Sequence, residues 1–305
     1  MIGLNHQGLS MNDRVTEDPQ TVLDRLDSQA VRTETPCGDG AMVWRTWKGP
    51  APDSQILVLF HGGAGSWRHW VRNIPVLAQH YTVLAPDLPG LGESAFPHNG
   101  DDADAVAQVV ADGLDAVIGP DTRYHVTGFS FGGAMACCVA AIHGARVRSV
   151  TIIGSSGVGP AGSAVELLKV RHLEGQERID THRINLNRLM IADPNKIDAL
   201  ALAIQDWNTV RSRLKTPTLS RSGALLRALD RIHVPLNGIW GEFDAPANPR
   251  APARVAALRE RRPDADVRLI PGAGHWVAYE APAQVNAMLL EMLGRASGNR
   301  PRQAG

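Results

Sequence analysis

Gly128-Phe129-Ser130-Phe131-Gly132 is the stretch on which the fold of this chain turns. Tyr124 to Thr127, just before it, reads as a short strand, and Gly133 to His143, just after it, reads as a helix rich in small residues. Glycines on both sides of a serine at such a junction have a steric reason. The turn is so sharp that the serine backbone is strained and neighbouring side chains would clash. It lifts the hydroxyl out of the carboxyl edge of a sheet and aims the N-terminus of a helix at whatever group reacts there. In a chain with 30 glycines the five residues alone are weak evidence, and a strand–helix turn without chemistry is the plain alternative. The strand before and the helix after give the motif its weight.

Outward from this turn the same rhythm repeats. Ile56 to Phe60 is a continuous apolar run, as in a parallel strand buried on both faces, and it stops at His61-Gly62-Gly63. Val31–Thr35 and Ala41–Trp47 read as strands joined by the turn formers Pro36, Gly38, Asp39 and Gly40. Trp67–Gln79 and Asp102–Ile118 read as helices, with a strand at Tyr81–Ala85 between them. Beyond the serine, Val147–Ile153 is another strand. From about Gly159 to Arg231 no buried strand appears. Apolar residues there recur at helical spacing, and Pro194 and Pro217 interrupt them, which predicts three or four inserted helices. Strands resume at Val234–Trp240 and Val267–Ile270, and Ala281–Leu293 closes the chain as a helix. The pattern predicts an α/β fold, a mostly parallel sheet flanked by helices with a helical lid inserted. The boundaries expected are an N-terminal arm at 1–20, a core in two parts at 21–158 and 232–294, the lid at 159–231 and a tail at 295–305.

A serine hydroxyl is a poor nucleophile at neutral pH and needs a base. Of the 11 histidines, His275 stands out, because Pro271-Gly272-Ala273-Gly274-His275-Trp276 is a glycine-rich loop just past the last strand. Such a loop carries an imidazole over the same edge of the sheet as Ser130. His6, His80, His98, His143 and His233 read as solvated or packed side chains. The base needs a third group to hold its tautomer. Asp244, in Gly241-Glu242-Phe243-Asp244 after the strand Val234–Trp240, is expected to supply it, with Glu242 as the competitor. For a developing oxyanion, two N–H donors are expected. One is that of Phe131. The other comes from His61-Gly62-Gly63-Ala64-Gly65, with Gly63 favoured and Gly62 or Ala64 as alternatives. His61 reads as a loop-bracing residue.

Leu59-Phe60-His61-Gly62-Gly63, Asp87-Leu88-Pro89-Gly90-Leu91-Gly92-Glu93-Ser94, Gly128–Gly133, Gly241–Asp244 and Gly274-His275-Trp276 together resemble the α/β-hydrolase superfamily over about residues 30 to 295. The resemblance implies the α/β-hydrolase fold and the chain order serine, aspartate, histidine. His61-Gly62-Gly63, Gly154–Pro160 and Gly274-His275-Trp276 with Glu280 look most like the meta-cleavage product hydrolases and their carboxylesterase relatives. Those C–C hydrolases split vinylogous 1,5-diketones left by aromatic ring opening. They usually carry an asparagine before the nucleophile, where this chain has Phe129, and a lid arginine, for which Arg183 and Arg188 are the candidates. The expected substrate contacts are Gly62, Phe129, Arg188, Trp207 and Trp276. Leu167, Met190 and Trp207 either line an apolar pocket or pack the lid onto the core. Three functions follow for comparison: a carboxylesterase, a C–C hydrolase with the same residues, and a non-catalytic ligand-binding protein on the same fold.

Bulk properties narrow the partners. Lys and Arg number 31, Asp and Glu 31, so no net charge draws the chain to nucleic acid or to an anionic membrane. Residues 159–231 carry 12 Lys and Arg against 8 Asp and Glu, which would favour a carboxylate-bearing substrate or simply solvate the helices. Cys37, Cys137 and Cys138 form no disulfide framework or zinc spacing, and Met1 to Val15 lacks the apolar core of a secretory signal. A cytoplasmic setting, a small-molecule substrate, no cofactor and no metal are expected, with a homodimer left open.

Overall fold

The computed structural model describes residues 17–155, 157–158, 165–247 and 251–297. Eight strands, β1 (Val31–Cys37), β2 (Gly40–Trp47), β3 (Ile56–Phe60), β4 (Thr82–Pro86), β5 (Tyr124–Phe129), β6 (Val147–Ile153), β7 (Leu236–Gly241) and β8 (Asp266–Ile270), form one sheet in the order β1-β2-β4-β3-β5-β6-β7-β8. The pair β1–β2 and the pair β2–β4 are antiparallel; every other neighbouring pair is parallel. β3 is an uninterrupted apolar run and β5 is buried at every position, because helices cover both faces of the parallel part. The strand order reverses at β3, whose neighbours are β4 and β5, and this opens a crevice beyond the carboxyl ends of β3 and β5.

Two apolar layers hold the sheet. On one face the helix Phe131–His143 is hydrophobic all round, with 10 of its residues buried, because it lies between the sheet, the helix Ala103–Ile118 and the helix Ala224–Leu229. On the other face Trp67, Trp70, Trp276, Tyr279 and Leu289 pack with Leu186, Met190, Ile197 and Ile204. The helical insertion therefore divides. Its first helices, Gly175–Leu189 and Ala199–Arg211, belong to the second layer, whereas Leu219, Leu225 and Leu229 belong to the first. Among its described residues four α-helices lie in it, at Gly175–Leu189, Ala199–Arg211, Thr216–Ser220 and Ala224–Leu229.

Two sequence expectations change. Trp67–Gln79 is not one helix but a 3-10 turn at Trp67–Trp70 and an α-helical turn at Ile74–Leu77. Pro75 is the reason: it has no N–H to donate, and inside a continuous helix its ring would meet the carbonyl of Val71. β7 begins at Leu236 rather than Val234, after Pro235, whose missing N–H shortens the ladder. Of the arm at 1–20 and the tail at 295–305, only 17–20 and 295–297 fall among the described residues. Pro19 opens a helix to Ser28, capped by the Asp18 carboxylate, that buries Leu23 and Leu26. Pro160, at the end of the quoted Gly154–Pro160 stretch, lies outside the described residues. The three cysteines are buried and free. No described helix is long and apolar enough to cross a membrane.

His125, the second residue of β5, carries a pH dependence. Its Nε2–H donates to Gln55 Oε1 (3.0 Å), so Nδ1 accepts from the Ser149 hydroxyl (2.7 Å). Burial, aided by Arg148 and Arg123, pushes its pKa down from 6.5 to about 4. Between those values the unfolded chain binds a proton that the folded chain refuses, so stability is full above pH 6.5 and falls as pH drops towards 4. The contribution of this one residue is on the order of 3 kcal/mol. Urea unfolding at pH 7 and at pH 4.5 checks it; equal stabilities would refute the buried neutral imidazole.

Candidate active site

Ser130 sits between β5 and the helix Phe131–His143 at φ 52° and ψ −117°, a backbone conformation that a side-chain-bearing residue rarely adopts. The glycines explain how the chain gets there. A Cβ on Gly128 would lie 2.1 Å from the Gly132 carbonyl oxygen, and a Cβ on Gly132 would lie 2.3 Å from that of Phe60. The helix thus starts almost in contact with the ends of β3 and β5, and Ser130 N–H donates to Ile153 O (2.7 Å) across the top of β6. The strain is local and is held by packing on both sides.

Three distant side chains meet at this rim. His275 Nε2 is 3.0 Å from Ser130 Oγ, and His275 Nδ1 is 3.0 Å from Asp244 Oδ2. Asp244 is fully buried just past β7, with its N–H on Gly241 O (3.2 Å). The competitor Glu242 turns outward and accepts from Gly272 N–H (2.9 Å). With Nδ1–H donating to the carboxylate, Nε2 is free to accept the serine proton.

The loop after β3 is braced by two other histidines. Leu88 N–H donates to His61 Nε2 (2.8 Å), so His61 Nδ1–H donates to Gly62 O (2.8 Å). Gly62 N–H in turn donates to His69 Nδ1 (3.3 Å). Both rings are pushed towards neutrality by burial; Asp87 opposes this at His61, while His61 and His275 reinforce it at His69. Gly62, an expected substrate contact, has both its polar groups tied to imidazoles. Ala64 holds φ 47°, and Gly63 lies under the lid residue Thr216, whose Oγ1 would be 2.4 Å from a Cβ there. Among the described residues the N–H groups of Gly63 and Phe131 make no backbone hydrogen bond outside a helix or strand.

The remaining expected contacts have these surroundings. Phe129 is buried, with its ring 4.9 Å from that of His275 and 5.5 Å from that of His69, so it seats the imidazoles from below. Trp276 is buried, donates its indole N–H to His69 O (2.9 Å) and stacks on Tyr279 at 4.2 Å. Trp207 lies between the guanidinium groups of Arg68 (3.6 Å) and Arg211 (4.1 Å). Arg188 is exposed and donates to Glu166 O (3.2 Å), and Arg183 donates to Ile197 O (2.8 Å). Leu167 is exposed, while Met190 is buried against the sheet's second layer. Each of these placements has the same source. Aromatic and long side chains find their lowest free energy in burial or on backbone carbonyls, and helical periodicity does not say which face meets the cleft.

Several residues escaped the sequence. Arg254 is buried near Asp244, whose charge offsets part of the desolvation of the guanidinium, and donates to Pro246 O (2.6 Å) and Ser155 O (3.3 Å). His69 and Thr216 also lie at this rim, against Gly62 and Gly63, whereas Glu280, quoted above with His275 for the family likeness, reaches it only through Gly274 N–H (2.7 Å). Among the described residues no group of three His, Cys, Asp or Glu side chains is placed to hold a metal ion.

Comparison with known proteins follows the same lines. A model described as the Alpha/beta hydrolase family matches residues 57–288. The dihydrolipoyllysine-residue acetyltransferase component of an acetoin cleaving system from Pseudomonas putida is 32% identical over 78% of this chain; the aligned part spans 63% of that longer protein. The 2-hydroxy-6-oxo-6-phenylhexa-2,4-dienoate hydrolase of Burkholderia cepacia is 26% identical over 80% of this chain and 89% of its own. In fold, the naproxen esterase of Bacillus subtilis superposes with a TM-score of 0.69 at 19% identity, covering 94% of this chain and 99% of that one. The match over three-quarters of the length, on a mostly parallel sheet flanked by helices, establishes that the chain belongs to the alpha/beta hydrolase family and is an α/β-fold hydrolase.

Proposed function

We propose that this hydrolase cleaves a small carboxylic ester through an acyl-enzyme. Ser130 Oγ attacks the ester carbonyl while His275 Nε2 takes its proton. Asp244 holds the Nδ1–H tautomer and stabilises the imidazolium that forms. The N–H groups of Phe131 and Gly63 receive the oxyanion; each such donor is worth about 100- to 1,000-fold in rate. The dipole of the helix Phe131–His143 adds to them, since its N-terminus begins one residue after the nucleophile. The imidazolium then protonates the leaving alcohol. Water, activated by the same imidazole, releases the acid.

The observation that carries this reading is the line Ser130–His275–Asp244, with both links at 3.0 Å and the serine in its strained turn. Ester cleavage is favoured over C–C cleavage by two features. Phe129 is apolar and buried where a polar group would precede the serine, and Arg183 and Arg188 are bonded to backbone carbonyls of the helical insertion. The names of relatives at 26–29% identity keep C–C hydrolysis of ring-fission products as the second reading.

Rapid mixing with p-nitrophenyl acetate and butyrate, beside a yellow dienoate diketone, tests the choice. The expected result is a burst of p-nitrophenol equal to the enzyme concentration, then steady turnover, with slow or no bleaching of the diketone. Bleaching without ester turnover would move the assignment to C–C hydrolysis. Silence on both would return the chain to a ligand-binding role.

A further inference from the structure

Glu280 is the last residue of the short helix Val277–Glu280, and its carboxylate is buried, with 3% of the residue exposed. No Lys, Arg or His pairs with it among the described residues. Three backbone N–H groups surround it instead. Gly274 N–H donates to Oε2 at 2.7 Å, Ala192 N–H to the same oxygen at 3.1 Å, and Asp193 N–H to Oε1 at 2.9 Å. A buried charge persists when several donors satisfy it. These three donors come from two places: Gly274 immediately precedes His275, and Ala192–Asp193 is a strap in the helical insertion.

The other side of His275 is tied to the same strap. Trp276 N–H donates to Met190 O at 2.7 Å. The contact between strap and loop is so close that a Cβ on Gly274 would lie 2.7 Å from Ala192 N and 3.0 Å from Met190 O. Glu280 N–H donates to Trp276 O (3.0 Å), which closes the loop on itself. A second tie lies one helix on. Tyr279 O–H donates to Asp198 Oδ1 (2.5 Å), and Arg72 donates to Asp198 Oδ2 (2.5 Å) and to Tyr279 O (3.0 Å).

We propose that Glu280 is a positioning residue which joins the backbone of His275 to the helical insertion, so that the imidazole is aligned with Ser130 only while the strap Met190–Asp193 is docked. The proposal rests on the reading of His275 as the base. It assigns the insertion a part in catalysis besides covering the cleft: its docked state sets the geometry of the base. A misplacement of about 1 Å at a reacting group costs about 100-fold, so a loosened Gly274 is felt in kcat rather than in KM.

Glu280→Gln tests this. The amide keeps the size of the side chain but turns an NH2 towards at least one of the three donors. Active sites are titrated with a fluorophosphonate, so that kcat is expressed per reactive serine and misfolded protein is not counted. The expected result is a fall in kcat of about 10- to 100-fold with KM changed by less than about threefold. In hydrogen exchange, the amides of Gly274, Ala192 and Asp193 should lose protection together while Thr127 in β5 keeps its own. Glu280→Asp, which keeps the charge on a shorter stem, should recover part of kcat; if the glutamine variant does not fold, it is read on the same two measures against the wild type. A kcat per titrated site within twofold of the wild type overturns the proposal, whatever the melting temperature. So does loss of protection at Gly274 without loss at the strap. A wild type silent on esters would overturn the ester assignment alone, because the exchange measurement needs no turnover and still decides whether Glu280 joins the two segments.

Discussion

Replacing Ser130 with alanine is expected to lower kcat on p-nitrophenyl butyrate by about a million-fold, with the melting temperature unchanged within a degree or two. The size follows from what the hydroxyl does. It forms the covalent bond, and nothing else at the rim is placed to do so; serine hydrolases that lose the nucleophile lose about this factor. What survives is attack by water in a site that still has its oxyanion donors. Stability should not change much, because Oγ has one hydrogen bond, to His275 Nε2 (3.0 Å), and the rare backbone conformation is as costly for alanine as for serine. Purified variant and wild type are compared under steady-state conditions and by labelling with a fluorophosphonate. A variant that keeps more than a tenth of the activity would place the nucleophile elsewhere.

Asp244→Asn should cost about ten-thousand-fold in kcat, and for a different reason. The carboxylate accepts from His275 Nδ1–H at 3.0 Å and leaves Nε2 bare to take the serine proton. An asparagine can turn its NH2 towards Nδ1. The ring proton then moves to Nε2 and points at Ser130, so the base is lost although every atom is still in place; the corresponding change in a serine protease costs about 10,000-fold. The variant should also be less stable, since the buried Arg254 guanidinium would face a neutral side chain in place of a carboxylate that offsets its desolvation. Glu242→Gln is the control. Its carboxylate is bonded to Gly272 N–H at the surface, and kcat should stay within about threefold, the scale of a surface substitution. If Glu242→Gln proves the more damaging of the two, the acid has been assigned to the wrong residue.

These two substitutions differ from the one at Glu280 in the kind of group they remove. Ser130 and Asp244 belong to the reacting line itself. Glu280 acts through backbone that carries His275, and its effect depends on the helical insertion being docked. Loss of a hydrogen-bonded buried carboxylate leaves donors unsatisfied, which is why its influence reaches both segments at once.

The chain's own order of residues was enough for the architecture and for the three side chains that meet. β3 begins and ends where its apolar run does, because a parallel strand covered on both faces has no polar position there to blur its limits. Ser130, Asp244 and His275 each follow a strand of that parallel set, and parallel strands deliver their carboxyl ends to one rim. The surroundings of the site were a matter for the tertiary structure. Gly62 was taken by two imidazoles, Phe129 packed against His275 and Trp276 against His69, and Trp207 was clasped between two arginines. Glu280 came to hold residues 88 positions away. A local pattern records which residues prefer burial, but it does not record which partner across the fold gains most from them, and that choice is made only when the helices pack on the sheet.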